Sequence, residues 1–184
     1  MARAHATLLT GSDLGTAWKA DSPRPTTDPL TCSPRLTPQE SDLVETGAAL
    51  GPLFAHGQNQ AIAQSVHVYA TATDADAART RRTMKKVVLC MQRRLEDTSS
   101  MMSWISVVGW SRLDVPQLVA HARGYRVVGD ASAGKQKAKV YLDLLLLGHD
   151  RALTTVVLTS YRAPLPSAFE DRLVREIVER LSAR

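Results

Sequence analysis

The chain has 184 residues, 44% of them hydrophobic and 22% charged, with a formal net charge of +5. This length suits one globular domain over 1–184 with a substantial core and leaves two domains cramped. The densest apolar run, Val140 to Leu147, is broken by Asp143, which excludes a helical membrane span within it, and the modest positive charge permits polyanionic partners without selecting one.

Met1 to Thr10 contains no apolar core of signal-peptide length and no lipidation cysteine, so no export signal is expected there. Leu8, Leu9, Leu14 and Trp18 flank a start signal at Thr10 to Asp13 and predict a short first helix, capped by Thr10 or Ser12 and anchored by Trp18. From Asp21 to Pro38 five prolines predict an irregular loop with Cys32 in its middle. Glu45–Ala55 and Asn59–Ala70 read as hairpin arms joined by His56-Gly57-Gln58, the first arm being an edge strand weakened by Gly47, Gly51 and Pro52. In the second arm Val66, Val68 and Ala70 share one face, and Ser65, His67 and Tyr69 the other.

Thr73 followed by Asp76 reads as an acidic capping box opening one long helix to Arg94, with Ala77, Thr80, Met84, Val87, Met91 and Leu95 on its buried stripe and Cys90 beside that stripe. A turn over Glu96–Met102, a strand over Trp104–Trp110 and a short helix over Pro116–Ala122, ended by Gly124, come next. Tyr125–Val128, Ala138–Leu147 and Ala152–Tyr161 then form an antiparallel meander, with Gly148-His149-Asp150-Arg151 as the last turn. The leucine run is also compatible with a buried helix; the β-branched Thr154 to Val157 after it favours a strand. Ser167 and Glu170 form a second capping box, opening a helix whose Phe169, Leu173, Ile177 and Leu181 pack across the sheet. The fold class is α+β, an antiparallel β-sheet with amphipathic helices packed against it.

Chemistry is sparse. Gly129 to Lys135 satisfies seven places of the phosphate-binding P-loop, but Gln136 stands where Ser or Thr must hold magnesium, so a surface turn is expected. The basic face Arg79, Arg82, Lys85, Lys86 and Arg93, with Arg81 and Arg94, suggests a rival reading as a cytoplasmic nucleic-acid or polyanion binder; no aromatic residue accompanies it for stacking, and a solvated helix face is the simpler account. The five histidines are dispersed without metal-ligand spacing and no nucleophile sits in a local catalytic signature, so no metal, no cofactor and no enzymatic activity are expected. Trp18, Trp104 and Trp110 are candidates for lining a ligand cleft, with core packing as the alternative. Cys32 and Cys90 are compatible with two reduced thiols or one bridge.

The opening Leu8 to Leu14, the loop cysteine Cys32, the strand Gln64 to Tyr69, the helix reaching Cys90, the Gly129-Asp130 turn, the paired strands Tyr141–Leu147 and Leu153–Thr159 and the closing helix together resemble the PknH-like extracellular sensor domain of mycobacteria and other actinobacteria. The resemblance covers nearly the whole chain and implies a non-catalytic, extracytoplasmic sensor or ligand-binding domain of the cell envelope, of secreted or lipoprotein type. It implies a Cys32–Cys90 disulfide and a cleft taking a small-molecule, cell-wall or lipid ligand, with a membrane-associated signalling partner and not nucleic acid. Trp18, His67, Tyr69, Trp104 and Trp110 are the residues expected at that cleft. An extracytoplasmic home further implies that an export signal preceded residue 1 or that the start lies elsewhere. The second bridge of kinase-linked members has no cysteines here, and Trp104 to Arg123 matches no part of the family's pattern.

Overall fold

A computed structural model describes residues 2–21, 28, 40–82, 85–97, 105–119, 121–133 and 136–183. Cys32 and most of the proline-rich loop lie outside the described residues, as do Trp104 and the turn expected before it.

The described strands form one antiparallel sheet in the order β1 (Lys19–Asp21), β3 (Leu53–His56), β4 (Gln60–Tyr69), β8 (Ala152–Tyr161), β7 (Gln136–His149), β6 (His121–Ala133) and β5 (Ile105–Leu113), with β2 (Glu45–Leu50) also paired to β4. The first hairpin arm is therefore a strand in two pieces. β2 runs beside Ser65–Tyr69 and β3 beside Gln60–Ile62, and they part at Gly51-Pro52, where proline cannot donate to the ladder. Gly57, at φ 59°, opens the return. β6 and β7 pair from His121↔Gly148 to Ala133↔Gln136, so strand and not helix follows the P-loop-like stretch. β7 and β8 are joined at Asp150-Arg151, tighter than the four-residue turn expected, with Asp150 in the left-handed region that Asp tolerates.

Side chains alternate across the sheet, and each face has its own cover. On one, Ile62, Val66, Leu145, Leu147, Val156 and Leu158 pack against Ala4 of α1 (Ala2–Ala6), Leu14 of α2 (Gly11–Leu14) and Leu173, Val174, Ile177 and Leu181 of α5 (Ser167–Ser182). On the other, Tyr125, Val127, Val140, Leu142, Leu144 and Leu146 meet Val87, Val88 and Met91 of α4 (Lys85–Asp97), while Tyr69 and Leu153 meet Ala75 and Ala78 of α3 (Ala72–Arg82). Covered on both sides, β7 has no polar face to present, which is why Leu144 to Leu147 runs without alternation and yet is strand. Each buried leucine contributes about 1.5–3 kcal/mol of transfer free energy.

The ends of the chain are tied together on the α5 face. Arg180 donates to the Leu8 carbonyl at 3.0 Å and pairs with Asp13 at 2.6 Å. Asp13 in turn accepts from the Thr10 backbone N–H at 2.6 Å, so that Thr10, one of the two expected caps, stands at the N-terminus of α2. Buried Gln64 fastens the same segment to β4: it accepts from the Leu9 N–H at 2.7 Å and donates to Thr154 at 3.0 Å.

Four local expectations are corrected. The expected helix to Arg94 is seen as α3 and α4, with residues 83–84 outside the described residues, and its cap is Thr71, whose hydroxyl accepts from the Asp74 N–H at 3.0 Å, not Thr73. Its inward stripe in α3 is Ala75, Ala78, Arg79 and Arg82 instead of Ala77 and Thr80, because Arg82 turns inward to Glu40 and Asp28 and Arg79 lies over Gly148. Pro116 to Ala122 is not helical: 114–117 has no regular structure and β6 has begun by His121, since the ladder with β7 takes up the backbone groups a helix would need. α5 starts after Pro166 without a side-chain cap, because the Glu170 carboxylate reaches across to Arg126 at 3.0 Å.

Candidate ligand site beneath helix α3

The spacing of Ala75, Ala78, Arg79 and Arg82 is i, i+3, i+4, i+7, so the four occupy one stripe of α3 and face the sheet. Two alanines let the helix approach Tyr69 and Leu153 closely. The two arginines then enter two different environments.

Arg82 enters a buried network of charge. Its Nε and Nη2 donate to the two oxygens of Glu40 at 2.7 and 2.8 Å, a bidentate pair, and its Nη1 lies 3.4 Å from both Asp28 and the Thr155 hydroxyl. The Tyr69 hydroxyl donates to Glu40 at 2.7 Å. His67 bridges two carboxylates, with Nδ1 2.6 Å from Glu45 and Nε2 2.5 Å from Asp28, which also accepts from the Ser65 hydroxyl at 3.2 Å. Burial opposes the charged imidazole, but the hydrogen bonds to Asp28 and Glu45 outweigh it, and the His67 pKa is raised. Burial likewise pushes the Tyr69 phenol well above its usual range, so it stays a donor. A histidine held between two carboxylates is committed as a doubly donating cation rather than as a base.

Arg79 enters an open cleft of about 310 Å³ lined by Asp76, Arg79, Thr80, His121, Arg123, Leu146 and Leu153. The sheet's period of two brings these together: His121 and Arg123 of β6 project to the same face as Tyr125, and register sets them opposite Gly148 and Leu146. Arg79 is 8% exposed and lies over Gly148, where an added Cβ would stand 2.5 Å from its Cδ. It is paired with Asp76, one turn earlier and more than half exposed. Burial lowers the Arg79 pKa; burial and then the charges of Arg79 and Arg123 lower that of His121. The cleft is an electropositive recess with a leucine floor.

The residues expected at a cleft from sequence are not gathered into one. His67 and Tyr69 lie under α3 as part of the buried network. Trp18 is on the opposite face, stacked on Phe169 at 5.5 Å and close to His56, and serves as core. Trp110 is 51% exposed on β5, 6.4 Å from the Tyr125 ring. Of the expected basic face, Arg79 and Arg82 are buried and Arg93 is exposed, so it is not one solvated stripe; the Lys85 and Lys86 side chains lie outside the described residues. Cys90 is fully buried on α4, its expected partner outside the described residues. A second hollow, about 380 Å³, lies among Ser106, Asp130, Ser132, Lys137 and Lys139 near the β6–β7 tip, where Lys139 pairs with Asp130 at 2.7 Å. Among the described residues no group of three metal-ligating side chains converges, and no helix is long and apolar enough to cross a membrane.

Neither a family model nor a curated protein matches the chain by sequence. Its fold is that of the extracellular domain of PknH from Mycobacterium tuberculosis, which it resembles at TM-score 0.57 and 13% identity over 98% of this chain and 95% of that one. LpqN of M. tuberculosis, involved in cell envelope biogenesis, is matched at TM-score 0.37 and 13% identity over 75% of this chain and 79% of its own, too loosely to support an inference. The same holds for PA94, a putative regulator from Pseudomonas aeruginosa, at TM-score 0.27 and 9% identity over 75% and 82% of the two chains.

Proposed function

We propose that this chain is a non-catalytic, extracytoplasmic sensor or ligand-binding domain of the cell envelope. The observation that carries the reading is the PknH extracellular fold, shared over nearly the full length of both chains. The recess under α3 supports it, since a concave site with a few converging polar groups is where a small ligand is expected. The ligand is a small molecule or a cell-wall or lipid fragment. A signal passes to a membrane-associated partner when that ligand binds two arrangements of the domain with different affinity. In this reading Cys32 and Cys90 form a disulfide fastening the proline-rich loop to α4, which suits an oxidising compartment and adds roughly 4 kcal/mol of stability on the loop-entropy account.

The compartment is tested by treating intact cells of the native host with a membrane-impermeant amine reagent. Labelling of the protein before lysis is the expected result; labelling after lysis only overturns the reading. Mass spectrometry of protein from that host, with and without reductant, is expected to show one reducible bridge, and two free thiols would count against it. A thermal-shift screen of cell-wall fragments, lipids and nucleotides identifies the ligand class.

A further inference from the structure

We propose that the recess between α3 and the His121 end of the sheet is a phosphomonoester site, with Arg79, Arg123 and His121 as its donors and Leu146 and Leu153 receiving the first carbons of the ester. The inference rests on the reading of this chain as a ligand-binding domain and gives that ligand a chemical class.

Three observations on independent elements converge on it. The basic groups come from α3 and β6, and Asp76, more than half exposed, is the carboxylate among the described lining residues. Arg123 donates to a neutral acceptor, the Ala122 carbonyl at 2.9 Å, and His121 stands 3.9 Å from Asp76, beyond hydrogen-bond length. Positive charge thus exceeds negative in the recess, whereas around Arg82 on the same helix Glu40 and Asp28 meet the guanidinium. The site is also built: Gly148 has no side chain where the Arg79 aliphatic stem crosses β7, so the guanidinium is held at the cleft instead of being free to swing into water.

The class follows from the donors. Two guanidinium forks and an imidazole approach from a helix above and a strand beside the recess, a spread of directions that a tetrahedral dianion satisfies and a planar carboxylate does not. A volume of about 310 Å³ is at the small end of ligand pockets and holds a headgroup with a few carbons. The buried Leu146 and Leu153 make the floor apolar, which favours an ester over inorganic phosphate.

The test uses the whole chain, with calorimetry and the His121 ring signals by NMR as readouts. The probes are butyl phosphate, inorganic phosphate, butanoate and vesicles with or without phosphatidic acid. Saturable binding of butyl phosphate is expected, with movement of the His121 signals, weaker binding of inorganic phosphate and a loss of about tenfold in Arg123→Gln. Because Arg123 is exposed, that variant should unfold at the wild-type midpoint, while Gly148→Ala, which displaces Arg79, should also weaken binding. Preference for phosphatidic acid vesicles over butyl phosphate would locate the phosphate on a lipid, and the reverse on a soluble ester; either supports the site. Absence of saturable butyl phosphate and phosphatidic acid binding up to about 10 mM overturns the proposal. So does wild-type affinity in Arg123→Gln, or butanoate binding as tightly as the phosphate. Surface labelling in intact cells separates the two levels: a surface-exposed protein that binds no phosphate keeps the sensor reading and loses this one.

Discussion

The sheet carries an arginine–carboxylate cluster on each face, and they balance their charges differently. Beneath α3, Arg82 faces Glu40 and Asp28, and His67 faces Asp28 and Glu45, so two cationic groups share three carboxylates. Beneath α5, Arg126 alone faces two: a bidentate pair with Asp143 at 2.6 and 2.7 Å and a single bond to Glu170 at 3.0 Å. Asp143 is 1% exposed and takes the better half of the guanidinium. Glu170 is left with burial and a neighbouring negative charge, and its pKa is pushed up to about 7. One cluster offsets its excess of acid with a charged histidine, the other by raising the proton affinity of a glutamate.

The largest expected effect comes from removing the shared cation under α3. Arg82→Met leaves Glu40 and Asp28 buried without a guanidinium and should lower stability by about 3–5 kcal/mol in urea titration; a loss below 1 kcal/mol would show that these acids reach water. Gln64→Leu breaks the fastening of Thr7–Leu9 to β4 and leaves the buried Leu9 N–H without its acceptor, with an expected cost of about 1–3 kcal/mol in the same measurement.

Next in size is a pH effect that tells the clusters apart. Glu170 has a folded-state pKa above its unfolded value, so its stabilisation is complete below about 4.5 and is lost as pH rises through about 7. His67 is also raised, and its contribution is present below about 6.5 and lost as pH climbs through its higher folded value. Urea midpoints should therefore fall in two windows, the one from about 4.5 to about 7 absent in Glu170→Gln and the one opening at about 6.5 absent in His67→Gln. A single window abolished by either variant would mean that the clusters are coupled through the sheet. The smallest effect belongs to the exposed Arg81–Asp42 pair, where Arg81→Ala should leave the midpoint unchanged.

Much of the architecture was legible because burial imposes a period. β4, β8 and α5 carry their alternation or 3.6-residue stripe openly, and β8 and the start of α5 fall where the pattern puts them. The misreadings share a cause. The pattern puts Thr80 inward and Arg79 and Arg82 outward because apolar stripes are assumed to mark the buried side, whereas Arg82 is paired under the helix with Glu40 and Asp28, far off in sequence, and Arg79 lies over Gly148. Glu170 looked like a cap for the same reason: its partner, Arg126, is 44 positions away. The cleft was the least legible part. His121 fell within an expected helix and Arg123 beyond it, and only pairing with β7 puts both beside Arg79. Gly148 was a weak hint, a glycine at the end of a leucine strand, where close approach by another group is a standing reason for one.

Arg180, Asp13, Arg3 and Leu181 hold the first and last helices side by side on the α5 face. A short linker joining the ends should therefore close a loop at little cost, and circular permutants reopened at the Gly57 turn should fold. For the experimenter the useful corollary is that an affinity tag or surface anchor at either end sits on the reverse side of the sheet from α3. Immobilised protein would then present its recess to the solution unobstructed.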